Sequence, residues 1–187
     1  INVSGSVPSL HDVALRSMPP DYDLRPHGIF LDNMTQRLFV VNHDDRRREE
    51  SIAVLRIMDT RTLIFSFALV GSPQPFPFIA SDFLGGGGFF HDLVATLPTE
   101  LFVTQWGPMS QNEQPSDAER FLWRCTWDDS AAPASNGRLP TACVHAWPFP
   151  SRLGLNGIAI DAKRTRLWVV ESASSLVWQF VRSPDGS

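Results

Sequence analysis

The sequence predicts an all-β chain made of repeated four-stranded units, and three observations carry that prediction: one motif recurs, its recurrence is regular, and the stretches between copies read as strands. The motif is a polar residue, an apolar strand, a turn and a second apolar strand. His27-Gly28-Ile29 leads to Arg37-Leu38-Phe39-Val40-Val41, His91-Asp92-Leu93 to Glu100-Leu101-Phe102-Val103-Thr104, and Asn156-Gly157-Ile158 to Arg166-Leu167-Trp168-Val169-Val170. His27, His91 and Asn156 stand 64 and 65 residues apart.

Between the copies lie runs rich in branched and aromatic residues: Ile52–Ile57 and Leu63–Val70, then Phe121–Trp127 and Ala142–Trp147. Each period therefore holds four strands, which is the blade of a β-propeller. The last copy ends after Leu176–Val181 with three strands, and Val13-Ala14-Leu15 is expected to close an earlier blade. Residues 1–187 thus predict a single partial propeller domain of about three blades, with repeats beginning near 27, 91 and 156. An open arc exposes sheet edges, which natural proteins avoid, so the expectation is a sequence incomplete at both ends. No stretch keeps apolar residues at helical spacing. Gly85-Gly86-Gly87-Gly88 lacks the Lys-Ser/Thr of a phosphate-binding loop and is read as a flexible connection.

Composition narrows the functional classes. The chain is 43% hydrophobic and 19% charged, enough to bury a core. A net charge of −4 without a basic stripe excludes a nucleic-acid partner. The one dense basic run, Arg46-Arg47-Arg48, meets Glu49 and Glu50 at once and is read as a solvated loop. No window approaches the ~18 consecutive apolar residues of a membrane span, so no membrane insertion is expected. Cys125 and Cys143 fit either a disulfide between neighbouring strands or two buried thiols. Asn2-Val3-Ser4 and Asn33-Met34-Thr35 match the glycosylation sequon, the second inside a turn, and point to an extracellular or secretory location, with a signal peptide expected to be either absent or already removed.

In a propeller the innermost strands line the channel, so His27, His91 and Asn156 converge near the axis. Such a ring suits a metal or ligand; it equally suits strand-end capping with central waters. His43 closes the second strand of the first repeat and falls at the same blade end as His27, where the two serve as a general base and its partner or as a structural pair.

At these residues the chain resembles the paraoxonase/arylesterase family. Pro26-His27-Gly28-Ile29, Val40-Val41-Asn42-His43, Asp92-Leu93-Val94-Ala95 and Asn156-Gly157-Ile158, the last followed by Glu171, match its motifs in order. The resemblance implies a calcium-dependent six-bladed β-propeller that hydrolyses aryl esters or lactones, with a small-molecule ester or lactone as partner. It implies two calcium ions, His27 as the base activating water and His43 as its partner. Asn156 is the implied ligand of the catalytic calcium, and Asp92 with the carbonyl of Ile29 that of the structural one. His91 takes a metal-site position where the family has Asn, and a neutral imidazole is a poor ligand for so hard a cation. Two alternatives stand beside this reading: a non-catalytic propeller arc acting as a binding scaffold, and a gluconolactonase-like or strictosidine-synthase-like propeller.

Overall fold

The computed structural model describes residues 12–44, 49–71, 89–106, 121–148, 155–171 and 174–182. Arg46–Arg48, the tetraglycine Gly85–Gly88, the irregular segment Gly107–Arg120 and the sequon at Asn2 lie outside them. All regular structure among the described residues is β. The first meander comprises β2 (Pro26–Asp32), β3 (Arg37–Asp44), β4 (Glu49–Asp59) and β5 (Thr62–Gly71), each antiparallel to the next. The second comprises β6 (Phe89–Leu97), β7 (Glu100–Trp106), β8 (Phe121–Thr126) and β9 (Arg138–Pro148). A third holds β10 (Leu155–Ile160), β11 (Arg166–Glu171) and β12 (Leu176–Val181).

The meanders stack face to face in chain order, because alternate side chains of one strand reach opposite neighbours. Phe39, Val41, Ile52, Val54 and Leu69 of the first pack against Leu93, Ala95, Leu101 and Val103 of the second. Shifted by one residue, Val94 and Phe102 face Leu155, Ile158, Leu167 and Val169 of the third. The outer face of the first meander, Val40, Ala53 and Leu55, is covered by Met18, Tyr22 and Leu24. With both faces covered, β4 is buried without a break from Glu50 to Leu55, which explains why its sequence runs apolar instead of alternating. β2 and β10 both pack against β6, so the first strands of the meanders lie side by side. This is the architecture of a partial β-propeller.

Three strands differ from expectation. β1 (Ala14–Arg16) does not close an earlier blade within the described residues; it pairs parallel with Thr62–Ile64 on the outside of β5. β9 begins at Arg138 instead of Ala142, since Arg138–Thr141 form a parallel ladder with Ala68–Gly71 that ties the two outer strands together. Glu49 and Glu50 are not solvated loop residues: both belong to β4, where Glu50 is buried and Glu49 is ion-paired with Arg138. The cysteine alternatives resolve to a disulfide, Cys125 facing Cys143 across β8 and β9.

At the turn between β2 and β3 the buried Asp32 carboxylate accepts bonds from Met34 N (3.0 Å) and the Thr35 hydroxyl (2.6 Å) and pairs with Arg164 of the third meander. Burial alone would raise its pKa; the Thr35 hydroxyl, Arg164 and the Met34 N–H outweigh that and hold it below the usual carboxylate value. A depressed pKa contributes stability that is present above the unfolded value and lost as pH falls through the folded one. Asp32→Asn should therefore cost about 1–3 kcal/mol at pH 7, and the gap to the parent should narrow below pH ~4. Urea denaturation of both proteins at pH 7 and in acid checks it.

Candidate functional site

Each inner strand dislocates at the same repeat position. The β2/β3 ladder slips between Pro26 and Ile29, β6/β7 between Phe90 and Leu93, and β10/β11 between Leu155 and Ile158. A bulge frees residues from the ladder and re-aims their side chains. The residues so released are His27-Gly28, His91-Asp92 and Asn156-Gly157, the set the repeat singles out.

Asp92 is the hub of these three segments. Its Oδ1 accepts from Leu93 N (2.9 Å) and its Oδ2 from Ile158 N (3.1 Å), while its own N–H donates to the Thr104 hydroxyl (3.1 Å), which in turn donates to the Asn156 carbonyl. From the other side Gly28 presses onto it: a Cβ there would collide with the His91 carbonyl and stand 2.6 Å from Asp92 Cα and 2.7 Å from Oδ1. Burial raises the pKa of Asp92, and the two N–H bonds lower it in part.

Around this hub three imidazoles gather. The His27 ring lies edge-on to His91 at 4.3 Å and to His43 at 5.1 Å between centroids. His27 Nδ1 lies 3.0 Å from the His91 carbonyl, and because a carbonyl only accepts, the proton sits on Nδ1. The neutral form of His27 then carries its lone pair on Nε2. His43, at the end of β3, directs Nδ1 at both carboxylate oxygens of Glu50 on β4, at 2.7 and 2.8 Å. Glu50 is 1% exposed, and the two residues are direct cross-strand partners.

The next cross-strand pair, Asn42 and Ser51, anchors the approach to His27. Asn42 accepts from Arg25 N (2.5 Å) and donates to the Ser51 hydroxyl (3.3 Å), which also bonds Tyr22 at 3.0 Å. Burial pushes the Tyr22 phenol up to about 12, so it stays protonated. A chain of polar contacts thus fixes the segment entering β2 beside the end of β3.

The structure brings His27 and His43 together, and Asp92 meets the segments carrying Ile29 and Asn156. His91 stands against His27. The Ile29 side chain is 61% exposed, leaving its carbonyl as the group the resemblance implies. Oxygen donors of the kind calcium takes are present, but one carboxylate, one amide and one carbonyl fall short of the usual 6–8 ligands. Among the described residues no group of three or more His, Cys, Asp or Glu could hold a metal ion. These donors alone do not make a calcium site. Sequence reasoning missed Glu50 and Thr104. Glu50 carried no sequence signal, because only the register of β3 against β4 brings it to His43, and Thr104 carried none beyond its place in the repeat.

A β-propeller arc with an imidazole cluster and a half-buried carboxylate at the bulged ends of its inner strands is the class that fold and site define. No family model and no curated protein matches the chain. Among solved structures it is similar to the periplasmic gluconolactonase PpgL of Pseudomonas aeruginosa, at 19% identity and a TM-score of 0.49, over 87% of this chain and 40% of that one. No helix among the described residues is long and apolar enough to cross a membrane.

Burial, then the neighbouring His27 and His43, lower the pKa of His91 to about 4. A depressed histidine contributes stability that is complete above the unfolded value, near 6.5, and is lost as pH falls towards 4. In an NMR titration the His91 ring should remain neutral down to pH ~5, and His91→Asn should make the protein less sensitive to acid between pH 6.5 and 4. Titration of His91 near 6.5 would contradict the packing described.

Proposed function

We propose that the chain hydrolyses a carboxylic ester or lactone, with His27 as the general base and His43, held by Glu50, as its partner. The observation that carries this reading is the His27–His43–Glu50 series: two edge-on imidazoles, the second bonded to a buried carboxylate. His27 Nε2 takes a proton from water as the water oxygen bonds to the carbonyl carbon. The resulting imidazolium lies next to His43, whose Glu50 carboxylate offsets the new charge. Collapse of the tetrahedral species breaks the bond to the alkoxide or aryloxide, which takes the proton back from His27. For a lactone the two products remain one molecule.

The family resemblance implies two calcium ions, with Asn156 a ligand of the catalytic one and Asp92 and the Ile29 carbonyl ligands of the structural one; both sets would need further oxygen donors to reach the usual 6–8. A catalytic calcium, when bound, would polarise the scissile carbonyl. The Cys125–Cys143 disulfide supports an extracellular or secretory location, because such bonds persist in oxidising compartments.

Initial rates on an aryl acetate, an aliphatic lactone and a sugar lactone, each with millimolar calcium and with chelator, test the reading. His27→Gln should lower kcat/KM by about 10²–10⁴-fold. Glu50→Gln should also lower it and shift the pH profile. Parent-like turnover in His27→Gln would refute the base assignment. A parent inactive on every substrate would favour the binding-scaffold alternative.

A further inference from the structure

We propose that Asn33 is a site of N-linked glycosylation. Asn33-Met34-Thr35 occupies the turn between β2 and β3, and the turn is built from its neighbours. Asp32 accepts from Met34 N and from the Thr35 hydroxyl, and Gln36 donates through Nε2 to the Asn33 carbonyl at 2.7 Å. The Asn33 side chain is left out of that network and is exposed. An amide serving the fold would sit inside the turn, as Asp32 does; this one projects where a bulky polar group meets no protein.

Two further observations point the same way. Beside Asn33 the surface is apolar: Met34 is 73% exposed and Leu31, two residues back near the end of β2, 48%. A sugar chain rooted between them would shield side chains that the fold leaves in water. The Cys125–Cys143 disulfide is of the kind that persists in oxidising compartments, among them the secretory pathway, where acceptor asparagines meet glycosyl donors. The position is compatible with an open catalytic site, since six residues of strand, about 20 Å, separate Asn33 from His27.

The donor is an oligosaccharide carried on a lipid pyrophosphate. Asn33 Nδ2 forms a bond to the anomeric carbon, the bond from that carbon to the pyrophosphate oxygen breaks, the lipid pyrophosphate leaves, and the amide loses one proton. Nothing is oxidised or reduced. This inference does not depend on the hydrolase reading, because its readout is the covalent state of one side chain.

The test is to direct the chain through a eukaryotic secretory pathway and map its peptides by mass spectrometry, with translation into microsomes covering a chain that is not exported. The peptide containing Asn33 should carry a glycan, and an amidase that releases it should leave Asp at that position. Asn33→Gln should abolish the modification while leaving the urea midpoint of the unglycosylated protein unchanged; peptide-level mapping separates Asn33 from Asn2. Translocated, disulfide-bonded protein with an unmodified Asn33 would overturn the proposal.

Discussion

The close approach of Gly28 to Asp92 is the constraint on which the rest of the site depends. Two inner strands of neighbouring meanders can come this near only where one of them lacks a side chain, and at Gly28 even a methyl group would meet main-chain atoms of His91 and Asp92. The φ of Gly28 is not what requires glycine; the space is. Because the strands touch here, His27 reaches the His91 carbonyl, and Asp92 reaches across to the third inner strand through Ile158 N. The bulges are the local device, and the close approach turns three local irregularities into one site.

A second pattern runs behind the first. Asn42, Gln105 and Glu171 occupy equivalent positions at the ends of the second strands, and all three are buried. Gln105 and Glu171 each accept from a tryptophan indole on the following strand, Trp123 at 2.6 Å and Trp178 at 3.1 Å, whereas Asn42 bonds Ser51. A buried polar group left without a partner costs about 1–3 kcal/mol, so each repeat supplies its own. The first repeat departs from the other two at the point where it also carries the His43–Glu50 pair, so its chemistry differs from theirs where its packing does.

Much of this was legible in the sequence because propeller blades are local. The strands of each meander follow one another along the chain, so runs of branched and aromatic residues and the regular spacing of His27, His91 and Asn156 outlined β2 to β12, the start of β9 apart, and grouped the candidate residues. What escaped was set by contacts between distant segments. The parallel ladder that lengthens β9 joins Arg138–Thr141 to Ala68–Gly71, and β1 finds β5 almost fifty residues on. Glu50 looked like part of a charged loop because its neighbours Arg46–Arg48 dominate the local composition; only the register of β3 against β4 puts it opposite His43. The choice between disulfide and thiols required the same kind of register, Cys125 against Cys143.

Substituting Gly28 by alanine and following the imidazoles by NMR tests the central claim most directly. Overpacking of a tight contact costs about 1–3 kcal/mol, so Gly28→Ala should lose stability in that range, and the nuclear Overhauser contacts between the His27 and His91 rings should weaken or vanish as β2 moves off β6. An alanine variant as stable as the parent, with the His27–His91 contacts intact, would contradict the account, for the inner strands would then not be held together at Asp92.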